Sequence, residues 1–187
     1  MEVSSLFSGK VLEKYDVEGR LVRIRYPVMR DLEDVLAFMN SVIAERKYLG
    51  LRKELERDRE IEWLSNALRA NERGDSIYLV VEVGGEVLGS ATVESLGEAM
   101  AHVGDFGIAL HRSIRGEGIG TRLAETIFSE AMKRLDIEIV KLMVFEKNEG
   151  AITFYESLGF ERAGRIEDSA NLDGEYQNVL IMQKRLE

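Results

Sequence analysis

The segment Ile108-Ala-Leu-His-Arg-Ser-Ile-Arg-Gly-Glu-Gly-Ile-Gly-Thr121 places Gly116, Gly118 and Gly120 between a strand-like run and a helix-like run. Glycines in such a turn let the backbone approach a ligand with no Cβ in the way. The unpaired N–H groups of the following helix start point at an anion, along the positive end of the helix dipole. Arg112, Arg115 and Arg122 stand against Glu117 alone within residues 112–122, so the stretch is locally basic although the whole chain carries a formal charge of −9. The chemistry this suits is the holding of a phosphate. A P-loop is excluded, because Thr121-Arg122 stands where that loop needs Lys followed by Ser or Thr. A dinucleotide fingerprint is disfavoured, because the glycines are spaced by two throughout.

The elements that must position this turn follow from periodicity. Lys10–Tyr15 and Arg20–Tyr26 alternate around a Glu18-Gly19 turn and predict a hairpin. Leu32, Val35, Leu36, Met39, Val42 and Ile43 mark one helical face, with Asp31 expected to cap it. A second helix is predicted over 58–72, where Ile61, Leu64, Ala67 and Leu68 recur and Gly74 ends the run. Ser76–Val83, Gly84-Gly85 and Glu86–Val93 read as a hairpin, followed by a strand near 101–110. Helix 118–134 uses Ile119, Leu123, Ile127, Ala131 and Leu135, and Glu138–Phe145 reads as a nearly buried strand. Helix 149–158 stops at Gly159, and strands near 160–167 and 176–185 close the chain. The fold class is α+β, with a mixed, mostly antiparallel central sheet flanked by helices.

Composition narrows the function. The chain has 187 residues, 45% of them hydrophobic, which suits one domain with a continuous core. Residues 21–187 form the expected domain and 1–20 an extension that adds a strand of the first hairpin. An acidic chain with a pI near 5.0 lacks the basic face that nucleic acids or anionic membranes require, so neither is expected as a partner. No apolar run is long enough to span a bilayer and the start does not resemble a secretory signal, so the expected location is cytoplasmic. The absence of cysteine excludes an acyl-cysteine intermediate. His102 and His111 have no metal-ligand spacing, and no metal is expected.

Arg115-Gly-Glu-Gly-Ile-Gly120 resembles the Arg/Gln-x-x-Gly-x-Gly/Ala signature of the GNAT superfamily of acyl-CoA N-acetyltransferases. Asn148-Glu-Gly-Ala-Ile-Thr-Phe-Tyr-Glu-Ser-Leu-Gly-Phe160 is similar to that family's Asn-x-x-Ala-x-x-x-Tyr-x-x-x-Gly-Phe segment, and Gly174–Lys184 is similar to its last strand. The likeness covers residues 21–187, and the outline resembles the branch of ribosomal-protein and phosphinothricin-type acetyltransferases. It implies an acetyl-CoA cleft between two splayed parallel strands, at the ends of 101–110 and 138–146. It further implies a pyrophosphate on the backbone N–H groups of Arg115, Gly116, Glu117, Gly118, Ile119, Gly120 and Thr121. The pantetheine amides would pair with Ile108 and Leu110, with Ala109 between them, and Asn148 and Ala151 would touch the cofactor.

Direct transfer needs a neutral amine, a group to take its proton and a donor for the departing thiolate. The resemblance assigns the donor to Tyr155, which shares an apolar helix face with Ala151, Phe154 and Leu158. Asp105 lies where many family members carry a glutamate and is the first candidate base; Glu94, Glu149 and His102 are others. The acceptor is expected to be a peptide amino terminus, a lysine or a small-molecule amine, in a pocket shaped by residues 31–73 and the loop 168–174, where Tyr48, Trp63 and Tyr176 could line it. A module that binds CoA without turning it over would use the same phosphate loop. The open sheet edges are compatible with a homodimer.

Overall fold

The computed structural model describes residues 6–45 and 50–187. Twelve elements follow in the order β1 (Val11–Val17), β2 (Arg20–Arg25), α1 (Leu32–Ala44), α2 (Arg57–Arg73), β3 (Ser76–Val83), β4 (Glu86–Ser95), β5 (Val103–Leu110), α3 (Ile119–Leu135), β6 (Ile139–Phe145), α4 (Glu149–Ser157), β7 (Glu161–Leu172) and β8 (Glu175–Arg185). The strands form one eight-stranded sheet in the order β1-β2-β3-β4-β5-β6-β8-β7. Neighbours are antiparallel except β5 and β6, which run parallel. This is the expected mixed α+β sheet.

The two faces of the sheet are covered differently. Val22, Ile24, Ile77, Leu79, Ala91, Val93 and Phe106 pack with Leu123, Ile127 and Phe128 of α3 and with Ile152 and Leu158 around α4. On the other face, Tyr78 and Val80 pack with Leu32, Val35 and Phe38 of α1 and Leu64 of α2. Leu64 and Leu123 are fully buried, so truncating either to Ala would cost about 2–5 kcal/mol. Gly84 and Gly85 turn the β3–β4 hairpin, both with positive φ. Gly74 ends α2 with φ 77°, and Gly159 follows α4 with φ 86°, as the sequence predicts.

Two expectations are corrected. Asp31 does not cap α1 with its side chain; its carboxylate pairs with Arg25 at 2.7 and 2.8 Å and accepts the N–H of Val28 at 2.8 Å. A buried guanidinium outbids the helix N–H groups, because an uncompensated charge costs more to bury than a helix end costs to leave to water. The strand β6 is buried on one face only: Val140, Leu142 and Val144 are in the core, while Met143 is 57% exposed. α1 lies over β4 and β5 and α2 over β3, and the β6 face that carries Met143 is left exposed.

Candidate active site

The pair β5–β6 is registered only at Val103↔Ile139, Gly104↔Val140 and Asp105↔Lys141. Beyond Asp105 the strands part, while β5 remains paired with β4 up to Leu110. The N–H of His111 donates to the Leu88 carbonyl of β4. Alternation along the strand therefore turns the peptide groups of Phe106, Ile108 and Leu110 away from β4, toward the gap. On the other side, the Glu146 N–H donates to Asn178 O of β8, so the peptide groups of Met143 and Phe145 face the gap from β6. The result is a gap with strand-edge amides on both walls, the kind of edge to which an extended ligand pairs as a strand would.

The glycine turn closes one end of this gap. Gly116 and Gly118 have φ values of 82° and 77°, with open space where a side chain would project. The helix α3 begins at Ile119, and its first bond to a preceding carbonyl runs from Arg122 N–H to Gly118 O. Among the described residues the N–H groups of 116–121 have no backbone or side-chain acceptor, so a row of donors lies at the positive end of α3. Gly120 fits for a packing reason: a Cβ there would meet Leu110 at 2.9 Å and Phe154 at 3.5 Å. That contact brings β5, α3 and α4 together at one point.

The basic charge of the turn is less available than the sequence suggests. Arg115 donates to Leu110 O at 2.9 Å and forks onto Glu45, the residue after α1, at 2.6 and 2.8 Å. Arg122 lies 3.4 Å from Glu13 and stacks its guanidinium 4.4 Å from the Tyr15 ring centroid. Both arginines are engaged by the protein, so less of their charge is offered to an anion.

Tyr155 projects from α4 against the first residue of the gap: its ring centroid lies 6.3 Å from that of Phe106 and 5.7 Å from that of Phe160. Burial pushes its pKa up to about 12, so it stays a neutral hydroxyl donor across the ordinary assay range. Asn148 caps α4, its Oδ1 accepting the Ala151 N–H at 3.2 Å, which leaves its amide nitrogen to donate elsewhere. Asp105 sits at the last rung before the strands part, 2.5 Å from Lys141 Nζ. Phe106 enters the core under α3; by strand alternation Asp105 points to the opposite face, so Tyr155 and Asp105 flank the gap from opposite sides. Glu94, paired across β4–β5 with Asp105, is exposed, as are Glu149 and His102.

Among the residues named for the acceptor pocket, Trp63 stands edge-on to Tyr78 at 4.9 Å yet remains 44% exposed, and Tyr176 is exposed on the β7–β8 hairpin. Tyr48 lies outside the described residues. Sequence reading missed Arg52. It reaches from the α1–α2 connection to Asp173 at the hairpin tip, 3.7 Å away, and its Nε and Nη1 are buried with no hydrogen-bond partner among the described residues. Nothing in the local sequence distinguishes Arg52 from its charged neighbours, because its partner lies far along the chain. Among the described residues, no group of three or more His, Cys, Asp or Glu could hold a metal ion, and no helix is long and apolar enough to cross a membrane.

The chain belongs to the acetyltransferase (GNAT) family, whose sequence profile matches residues 39–160. It is 24% identical over 165 residues to YwnH of Bacillus subtilis, named as a candidate phosphinothricin acetyltransferase; the match covers 87% of this chain and 98% of that one. The fold is similar to that of a ribosomal-protein-alanine N-acetyltransferase from Brucella melitensis, with a TM-score of 0.78, 25% identity, and coverage of 87% and 99% of the two chains. It is also similar to YncA of Salmonella typhimurium, a structure containing acetyl-CoA, with a TM-score of 0.77, 19% identity, and coverage of 89% and 94%.

Proposed function

We propose that this acetyltransferase takes its acetyl group from acetyl-CoA and passes it directly to a primary amine. The observation that carries this reading is the gap between β5 and β6, continuous with the unpaired N–H groups of residues 116–121. One part suits an amide-bearing arm and the other a pyrophosphate. We read residues 21–187 as the catalytic domain and 1–20 as an extension.

The thioester supplies an electrophilic acyl carbon and a thiolate leaving group when bound; the chain supplies the rest. The backbone of Ile108 and Leu110, with Ala109 between them, holds the pantetheine arm along β5. The turn from Arg115 to Thr121 holds the phosphates, and Asn148 and Ala151 border the arm at the start of α4. Tyr155 donates its hydroxyl proton or a hydrogen bond to the departing sulfur. Asp105, from the other side of the gap, accepts the proton of the attacking amine directly or through one water. The acceptor enters over the exposed face of β6, beside its neighbour β8; a peptide amino terminus, a lysine and a small amine are the classes in view.

Calorimetric titration with CoA and acetyl-CoA, followed in the same sample by thiol release on adding amines and basic peptides, tests the reading. Micromolar binding with amine-dependent release is expected. Binding without release across a broad panel would favour a CoA-sensing module, and no binding would remove the reading altogether.

A further inference from the structure

We infer that Arg20, in the N-terminal hairpin and outside the segment matched by the family profile, is a charge-balancing and positioning residue of the donor site. Its Nη2 lies 2.5 Å from Glu117 Oε2, and Glu117 stands within the row of unpaired N–H groups. A carboxylate in that place repels the phosphates the row would hold. Arg20, first residue of β2, neutralises it from the side and ties the turn to the sheet.

The rest of the hairpin supports the same contact. Glu13 of β1 accepts the Thr126 hydroxyl at 2.6 Å and faces Arg122 at 3.4 Å, while the Tyr15 ring lies under the Arg122 guanidinium. The first two turns of α3 are thus docked on β1, with the turn that precedes them held by Arg20. Arg115 and Arg122 are already committed to Glu45 and Glu13, so neither is left to offset Glu117. The Arg20–Glu117 pair is partly exposed, with side-chain accessibilities of 37% and 21%. Its stabilisation of the fold is therefore small, and its effect on a ligand anion beside it is the larger consequence.

This inference rests on the assignment of the donor phosphates to residues 115–121. The experiment is calorimetric titration of CoA into the wild-type protein, Arg20→Ala, Arg20→Lys, Glu117→Gln and the Arg20→Ala/Glu117→Gln double variant, with a melting curve for each. Arg20→Ala should weaken CoA binding roughly three- to ten-fold at low salt, with the loss shrinking as salt screens it. Arg20→Lys should keep most of the affinity. Glu117→Gln should bind at least as tightly as the wild type, and the double variant should recover to within about twofold of Glu117→Gln. In turnover, the KM for acetyl-CoA should rise in Arg20→Ala while kcat and the acceptor KM stay level. Unchanged CoA affinity in Arg20→Ala, or a double variant as weak as Arg20→Ala, overturns the inference. A wild-type protein that does not bind CoA overturns the donor-site assignment instead.

Discussion

Lys141 Nζ lies 2.5 Å from Asp105 Oδ1 across the last rung that joins β5 to β6. The ammonium already engages the carboxylate that we propose as the base, so an acceptor amine has to share Asp105 with it. Asp105→Asn should lower kcat by about a hundredfold or more if the carboxylate removes the amine proton, and should change the shape of the pH–rate profile. An Asn variant with the wild-type profile would move the role to Glu94, its cross-strand neighbour. Lys141→Met, which frees Asp105, should leave the acetyl-CoA KM unchanged and shift only acceptor kinetics.

Replacing Tyr155 by Phe should keep the fold, since the ring contacts with Phe106, Phe154 and Phe160 need no hydroxyl. Steady-state kcat should fall by roughly one to two orders of magnitude with little change in acetyl-CoA affinity; full turnover in the variant would remove the donor role. The pH dependence of stability follows from burial, which raises this phenol's pKa to about 12 in the folded protein. The unfolded phenol ionises near pH 10 and the folded one later, so the native state binds more protons in between. Stability should therefore fall as pH rises through that interval. Melting curves of the Phe variant should show a shallower decline over the same range.

Gly118→Ala places a Cβ on a residue with φ 77° but meets no neighbouring atom. The cost is conformational, roughly 1–2 kcal/mol, and should appear as a drop of a few degrees in melting temperature together with weaker CoA binding. Gly120→Ala should act differently, since its Cβ would meet Leu110 and Phe154. It should separate α3 from β5 and raise the acetyl-CoA KM more than its loss of stability alone explains.

Arg52 bridges from the α1–α2 connection to Asp173 at the tip of the β7–β8 hairpin. Arg52→Ala should raise the acceptor KM while leaving CoA titration unchanged. Equal loss of both affinities would show that the bridge serves the fold rather than the acceptor.

Much of this arrangement is legible in the sequence where the signal is local. Gly74, Gly84-Gly85 and Gly159 end or turn elements because their left-handed φ values follow from neighbouring residues, and Asn148 caps α4 three residues from its bonded N–H. Asp31 misled for the same reason: a good local cap was claimed by Arg25, whose own burial depends on the packing of two strands and a helix. The open face of β6 was not legible, since an apolar run reads alike whether or not a helix covers both sides. Nor was the engagement of Arg115 and Arg122, whose partners Glu45 and Glu13 lie 70 and 109 residues away in the chain.

The parting of β5 and β6 after three residue pairs leaves the sheet as two leaves, β1–β5 and β6–β8, joined along one face by a shared core. A donor seated between them, as we propose, would act as a missing strand, and the supply of thioester would then feed into the lifetime of the folded chain. At a hundredfold excess over its dissociation constant it would add about 2.7 kcal/mol. Amides of Ile108 and Met143 would then exchange with solvent more slowly, and proteases would find fewer openings in a cell rich in the donor.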